Sequence, residues 1–223
     1  MEVGPVPNNE EMSPAGEEAI QESGSVVFLL NNLPFDADDD APGAQPNLPY
    51  RIENLAATYI SPLEQILSSK LHSAGCVRAV FVNFGPKGYH EIKPNWSPVT
   101  RPAEFEALLR ELFQNGMKRD PVTNEVLWHK ITDLSSLLAN LPANSRKIGC
   151  LHGATSQGSA SINFQDYIKN ASLMHSFVFV VGQIANEEIE GFLDEFVKVS
   201  EYELVPTYCL SRVIKAMEDK WNI

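Results

Sequence analysis

The stretch Ser176-Phe-Val-Phe-Val-Val-Gly182 is a continuous apolar run that ends at a glycine. A second run of the same kind, Ser25-Val-Val-Phe-Leu-Leu-Asn31, lies nearer the start of the chain. Short runs that are apolar at nearly every position are typical of strands buried on both faces, which occur in parallel sheets covered by helices. These two stretches therefore predict strands inside an α/β fold.

On either side of these strands, further strand patterns alternate with segments whose apolar residues have helical spacing. Strands are predicted at 77–84, 89–92, 127–131, 146–151 and 197–204, the first two as a hairpin. Helices are predicted at 51–73, with a kink or break at Pro62, and at 102–115, 133–140, 164–171, 187–196 and 206–221. The alternation predicts an α/β fold with one mostly parallel sheet flanked by helices.

The acidic residues are concentrated near the start of the chain. The 223 residues have a net charge of −12, but residues 1–50 hold ten acidic residues and no Lys or Arg, which leaves 19 acidic and 17 basic residues in 51–223. The composition predicts a disordered acidic tail over 1–24, an acidic Pro/Gly surface loop at 36–49, and one folded domain over 25–223. Because the domain is close to neutral, a local basic face for nucleic acid stays open.

Several kinds of site and location are disfavoured by the sequence. Cys76, Cys150 and Cys209 lie far apart without a CxxC pair, and the five histidines have no metal-ligand spacing, so neither a disulfide framework nor a metal site is expected. No apolar run approaches the length that spans a bilayer. The first 25 residues lack the pattern of a secretory or mitochondrial signal, so the cytosol or nucleus is expected.

The predicted topology indicates where a ligand would bind. In open α/β sheets, ligands bind beyond the carboxyl ends of the strands, at the loops that lead into helices. Three such loops are predicted here: after Leu151, after Val181, and around Tyr202–Pro206. This pattern predicts a binding site but does not identify its ligand.

A series of motifs in a fixed order runs from about Ser61 to the end of the chain. Ser200-Glu-Tyr-Glu-Leu204 is followed at a set spacing by Glu218-Asp-Lys-Trp-Asn-Ile223. Earlier motifs, in order, are Leu71–Gly75, Glu91–Pro94, Leu141–Pro142 with Ser145–Lys147, Gln165–Ile168 and Phe177–Gly182. Together they resemble the pseudouridine methyltransferases of ribosome biogenesis, the Nep/Emg branch of the SPOUT superfamily, of which this chain looks like a divergent member.

The resemblance implies a SPOUT-type fold whose C-terminal trefoil knot holds S-adenosyl-L-methionine, and a homodimer. It further implies methylation of a pseudouridine in small-subunit ribosomal RNA, preribosomal proteins as partners, no membrane association, and a place in the nucleus or nucleolus, with the cytoplasm left open. The cofactor contacts that it implies are Cys150, Gly182, Glu187, Val199, Ser200, Glu201, Tyr202, Glu203 and Leu204.

Three of these residues have an alternative structural role. Gly182 would let the backbone approach the cofactor closely, and it would serve equally as a turn glycine that ends a strand. Tyr202 and Leu204 would flank the adenine, and the alternative for both is packing in the core. The sequence leaves these alternatives open.

The motif expected to bind RNA departs from the family pattern. Family members carry R-x-P-R-T-F-x-R-F after the motif that resembles Glu91–Pro94, and the three arginine positions read Ser97, Thr100 and Glu104 here. Arg101, one place out of register, is the candidate substitute, with a solvated surface charge as the alternative. For the family's R-P-D-I motif the displaced candidates are Arg51 with Glu53, or the stretch 45–48.

The cofactor loop also departs from the family pattern, because the positions of the family's G-A-M-A-x-G hold Gly182-Gln-Ile-Ala-Asn-Glu187 in this chain. A glutamate in place of the second glycine adds bulk and charge, although it would suit the cationic amino group of the cofactor. Two main hypotheses follow from these departures. The chain is an active methyltransferase, or it is a catalytically inactive assembly factor that binds preribosomal partners through the same fold. A third hypothesis, a methyltransferase that acts on another RNA, has no residue pointing to it.

Overall fold

The computed structural model describes Met1 and residues 24–33, 51–142, 144–153, 163–173, 175–184 and 187–223. One eight-stranded sheet has the strand order β4-β5-β3-β2-β1-β7-β6-β8. The strands are β1 (Val26–Asn31), β2 (Val77–Asn83), β3 (Tyr89–Ile92), β4 (Met117–Arg119), β5 (Val126–Ile131), β6 (Ser145–His152), β7 (Ser176–Gly182) and β8 (Glu195–Ser200). The five adjacent strands β2, β1, β7, β6 and β8 run parallel to one another. Strands β3, β5 and β4 continue the sheet, each antiparallel to the strand before it.

Helices cover both faces of the sheet. They are α1 (Ile52–Leu67), α2 (Lys70–Ser73), α3 (Pro102–Asn115), α4 (Leu134–Ala139), α5 (Phe164–Asn170), α6 (Glu187–Phe192) and α7 (Pro206–Trp221). One apolar core contains residues of α1, α3, α5 and α7, and the other contains residues of α4 and α6. Alternate residues of β1 belong to opposite cores, Phe28 to the first and Leu29 to the second. The α/β fold with a mostly parallel sheet flanked by helices is therefore confirmed.

Local sequence signals explain why several elements begin and end where they do. The pyrrolidine ring of Pro102 fixes the first turn of α3, and Gly116 ends that helix in a left-handed conformation with φ +71°. The carboxylate of Asp133 caps α4 by accepting a hydrogen bond from the Ser136 backbone NH at 2.7 Å. Pro206 begins α7 in the same way as Pro102 begins α3.

Some predicted boundaries were wrong. The helix does not break at Pro62, which lies buried inside the continuous helix α1; the interruption comes at Ser68–Ser69, where the Ser69 side chain caps α2. Strand β8 begins at Glu195 and ends at Ser200, whereas the strand was expected at 197–204. It ends early because the Ser200 hydroxyl accepts a hydrogen bond from the Tyr202 backbone NH at 3.0 Å, which turns the chain.

The proposed tail and acidic loop lie almost wholly outside the described residues. Gly24, which was assigned to the tail, is buried, and a β-carbon there would lie 2.5 Å from the carbonyl oxygen of His175 and 2.7 Å from that of Leu173. The C-terminal trefoil knot remains a prediction. None of the described helices is both long and apolar enough to span a bilayer.

Candidate functional site

The three loops predicted to bind a ligand follow neighbouring strands. Strands β7, β6 and β8 are adjacent and parallel, so their carboxyl ends lie along one edge of the sheet. The loop after β7 is described up to residue 184, and the loop after β6 only as far as Gly153. The structure therefore brings together the segments that hold Gly182 and residues 199–204, as expected from the topology.

Backbone hydrogen bonds join the loop after β6 to the loop after β8. The Gly153 NH donates to the carbonyl oxygens of Ser200 at 3.2 Å and Tyr202 at 3.0 Å. The Leu204 NH donates to Nδ1 of His152 at 3.2 Å. Gly153 has φ +75°, and a β-carbon on it would touch the backbone of Glu203 at 3.4 Å. His152 and Gly153 thus belong to the candidate site, in the loop that was predicted after Leu151, although the sequence had not singled out these two residues.

Gly182 is enclosed by the neighbouring strand. Its φ is +121°, and the carbonyl group of Asn31 on β1 occupies the place of a β-carbon. The Gln183 NH donates to the same Asn31 carbonyl at 2.9 Å, and the Asn31 side chain accepts a hydrogen bond from the Asn83 side chain at 2.8 Å. The need for a glycine therefore comes from the β1 backbone, which supports the strand-ending role.

Other expected cofactor residues differ in their exposure. Tyr202 is 80% exposed, so the alternative of core packing was wrong for this residue. Leu204 is partly buried and packs against the first core. Glu203 is exposed, and Glu187 is exposed at the first position of α6. Tyr202 is therefore free to contact a ligand at the sheet edge.

The side chains of Cys150 and Val199 face the core. Cys150 is 2% exposed and lies against Cys209 of α7. Contact with the Cys209 thiol and burial together raise the pKa of the Cys150 thiol well above its ordinary value, so it stays protonated. Val199 is 5% exposed in the same core. Any contact of these two residues with a ligand would have to come from their backbone groups.

A cleft of 240 Å³ lies between the end of β8, the start of α5 and one face of α7. It is lined by Asn163, Phe164, Gln165, Lys198, Val199, Ser200, Glu201 and Arg212. Lys198 and Glu201 form an ion pair at 2.5 Å. Arg212 Nη1 donates to the carbonyl oxygen of Val199 at 2.9 Å, and its guanidinium lies 6.0 Å from the ring centre of Tyr208. The cleft therefore combines three expected site residues with polar groups from two helices.

Lys198 and Arg212 were not identified from the sequence. One signal for Arg212 was present, because Pro206 fixes the start of α7 and the spacing of four residues places Tyr208 and Arg212 on one face of that helix. At the start of α5, Gln165 belongs to the motif Gln165–Ile168, but the motif did not indicate that these residues lie in the candidate site. They reach β8 through an isolated parallel bridge between Asn163 and Lys198.

The two candidate RNA-binding arginines precede α1 and α3. The Arg101 side chain is 79% exposed and forms an ion pair with Glu104 at 2.9 Å. Arg51 is exposed at the N-cap of α1. Glu53, its proposed companion, pairs instead with Arg110 of α3 at 2.9 Å. The stretch 45–48 lies outside the described residues.

The described residues contain no group of three or more His, Cys, Asp or Glu side chains arranged to hold a metal ion. Buried His90 on β3 lies beside Phe84, with 5.4 Å between the ring centres. The pKa of His90 is lowered to about 4, mainly by burial and to a smaller extent by the nearby charges of Lys130 and His129, while a hydrogen bond with the Gly88 carbonyl acts in the opposite direction. His90 is therefore neutral near pH 7, and β3 is separated in strand order from the candidate site at β7, β6 and β8.

Comparison with known proteins agrees with this architecture. The crystal structure of Archaeoglobus fulgidus Nep1 bound to S-adenosylhomocysteine matches with a TM-score of 0.62 and 14% sequence identity, covering 90% of this chain and 100% of that chain. No curated protein sequence matches significantly. The family model described as EMG1/NEP1 methyltransferase matches residues 60–218, well over half of the chain. The chain belongs to the EMG1/NEP1 methyltransferase family.

Proposed function

We propose that this chain is an S-adenosylmethionine-dependent methyltransferase whose cofactor binds at the carboxyl ends of β7, β6 and β8. The observation that carries the proposal is the backbone connection of Gly153 to Ser200 and Tyr202, which holds the loops of two strands together at this edge. Membership of a methyltransferase family supports it. So does the similarity in fold to an archaeal Nep1 solved with S-adenosylhomocysteine.

The sulfonium of the cofactor supplies an activated methyl group, so the protein contributes mainly alignment. The loop after β8 fits this role because hydrogen bonds to His152 and Gly153 fix its backbone. Tyr202 is exposed at this loop and has an apolar ring that can stack on an adenine. Leu204, which packs against the core beneath it, offers the second apolar contact.

The proposed substrate is a pseudouridine of small-subunit ribosomal RNA, modified during ribosome biogenesis. The ordered motifs over residues 61–223 support this substrate, since they resemble the branch of the SPOUT superfamily with that activity. The same resemblance supports a homodimer, preribosomal proteins as partners, and a place in the nucleus or nucleolus. Arg101 and Arg51 are the residues proposed to contact RNA.

One observation favours a second function, that of an assembly factor without catalytic activity. The Arg101 guanidinium is partly neutralised by Glu104 at 2.9 Å, so the segment that should attract phosphate has little net positive charge. Ser97 and Thr100 occupy the other two arginine positions. An assembly factor would use the fold to bind preribosomal proteins and would not need these arginines.

Isothermal titration calorimetry of the full chain with S-adenosylmethionine tests the proposal first. We expect a dissociation constant in the micromolar range, which corresponds to about −8 kcal/mol. Methyl transfer from radiolabelled cofactor to a small-subunit ribosomal RNA fragment that contains pseudouridine tests the second step, with the uridine-containing fragment as the control. Absence of cofactor binding would reject the enzyme, while binding without transfer would support the assembly factor.

A further inference from the structure

The cleft beside β8 carries charges of both signs. Lys198 and Glu201 are paired at 2.5 Å on the strand end and the following loop, with the Glu201 side chain 73% exposed. Arg212 approaches the same cleft from α7. No ion-pair partner of Arg212 is found in the part of the chain that the structure describes. The cleft therefore has one positive charge in excess, next to an exposed carboxylate.

Two contacts fix the orientation of the Arg212 guanidinium. Its Nη1 donates to the Val199 carbonyl oxygen at 2.9 Å, and the ring of Tyr208 lies 6.0 Å away on the same helix face. A guanidinium has five N–H donors, so one hydrogen bond leaves several donors unused. A planar group with parallel donors, held in place in this way, is well suited to binding a carboxylate through two hydrogen bonds.

We propose that this cleft binds the amino-acid end of S-adenosylmethionine, with Arg212 holding the carboxylate and Glu201 facing the ammonium group. The inference rests on the proposed function, and it adds the orientation of the cofactor. The amino-acid end is zwitterionic, and the cleft offers a cation and a carboxylate. The adenosine end is neutral and aromatic, which matches exposed Tyr202 and not a cleft lined with charged groups.

The position of the cleft along the chain agrees with this orientation. Val199, Ser200 and Glu201 line the cleft, and Tyr202 follows directly in the same loop. One loop thus presents charged groups at its start and an exposed aromatic ring one residue later. A ligand with a charged end and an aromatic end can contact both parts of the loop at once.

Calorimetry on the full chain with two ligands tests the inference. S-Adenosylhomocysteine has the amino-acid end, whereas 5′-methylthioadenosine has the adenosine and the sulfur without it. We expect Arg212→Gln to weaken the binding of S-adenosylhomocysteine by about tenfold to a hundredfold, the effect of losing a charge-assisted hydrogen bond, and to leave the affinity for methylthioadenosine unchanged. Arg212→Lys should cause a smaller loss, because it keeps the charge without the planar fork.

Lys215→Gln is the matched control, since Lys215 is an exposed cation on the same helix that pairs with Asp219 at 2.6 Å outside the cleft. It should leave both affinities unchanged. Equal losses for both ligands in Arg212→Gln would overturn the inference, because they would indicate that Arg212 only supports the loop through Val199. Unchanged binding of S-adenosylhomocysteine would overturn it as well. If the unmodified chain binds neither ligand, the proposed function fails and the inference fails with it.

Discussion

The carbonyl group of Asn31 occupies the space that a β-carbon would need on Gly182. Gly182 has φ +121°, a region that side-chain-bearing residues rarely adopt, and it ends the central strand β7. Its neighbour Gln183 then donates a hydrogen bond to the same carbonyl at 2.9 Å. The backbone of β1 therefore requires a glycine at the end of β7, whether or not a ligand is bound.

Gly182→Ala should lower the free energy of unfolding by about 2 kcal/mol or more, because the methyl group would clash with Asn31 and the backbone conformation would be strained. Urea denaturation monitored by circular dichroism measures the change. Gly191→Ala is the control, since nothing lies within 4 Å of a β-carbon there and α6 should gain helix propensity. Equal stability of the Gly182 variant and the unmodified chain would contradict the described packing.

Buried His90 should make the protein less stable in mild acid. Its pKa is about 4 in the folded chain and near 6.5 when unfolded, so between these values the unfolded chain holds a proton that the folded chain lacks. The contribution is complete above about pH 6.5 and is lost as the pH falls to 4, by up to about 3 kcal/mol.

His90→Phe tests this dependence, because phenylalanine keeps an aromatic ring beside Phe84 and Phe113 and cannot titrate. The loss of unfolding free energy between pH 7 and pH 4.5 should be about 2 to 3 kcal/mol smaller in the variant than in the unmodified chain. Carboxylates contribute equally to both proteins and cancel in the comparison. Identical pH profiles would show that His90 does not titrate in this way.

The N-terminus of α7 lacks a side-chain cap. Val205 is the N-cap residue, forms no capping hydrogen bond and is 56% exposed. Val205→Ser should raise the free energy of unfolding by about 1 kcal/mol, because its hydroxyl can accept a hydrogen bond from the first turn. Thermal unfolding measures the gain, and Val122→Ser, at an 89% exposed turn position, should have no effect. A lower melting temperature in the Val205 variant would count against this assignment of the helix start.

Tyr202→Ala should weaken binding of both S-adenosylhomocysteine and methylthioadenosine, since the proposed contact is with the adenine that they share. Loss of one stacked aromatic ring corresponds to about 1–3 kcal/mol. The stability should change by less than about 0.5 kcal/mol, because the side chain is 80% exposed. Calorimetry beside thermal unfolding separates the two effects, and an unchanged affinity would remove Tyr202 from the site.

Arg101→Glu should weaken RNA binding at low salt if Arg101 replaces the missing arginines. Glu104→Gln should strengthen it several-fold, because it releases the guanidinium from its ion pair. Fluorescence anisotropy with a labelled RNA fragment over a salt series measures both, and the salt dependence of Arg101→Glu should fall by about one unit of slope. Lys215→Glu serves as the charge control, and an Arg101 variant that binds like this control would reject the role.

The elements that the sequence predicted well have strong local signals. Strands β3 and β7 and helix α7 have the predicted bounds, because Gly88 precedes β3, Gly182 ends β7 and Pro206 begins α7. Strand β4 was missed because Met117–Arg119 is short and largely exposed, and it exists only through pairing with β5. The fold therefore followed from periodicity, whereas a short strand such as β4 has no apolar pattern of its own and depends on pairing with β5.

The candidate site could be predicted only in part. Strand topology predicted where the three loops lie. The cleft, however, combines residues of α5, β8 and α7 that are far apart in sequence, so no spacing rule connects Gln165 with Arg212. The sequence also did not show which face of the sheet a strand side chain would occupy. The Cys150 side chain faces the core beside Cys209, and this contact depends on how α7 packs on the sheet.

The strand order has a consequence for synthesis of the protein. Strand β6 hydrogen-bonds only to β7 and β8 among the described strands, and both are made after it. In a nascent chain that has emerged only as far as residue 152, β6 therefore lacks both of the strands with which it pairs in the described sheet. The candidate binding edge assembles only after translation has passed residue 200, so a chain stalled earlier lacks the loop after β8 that is proposed to hold the cofactor.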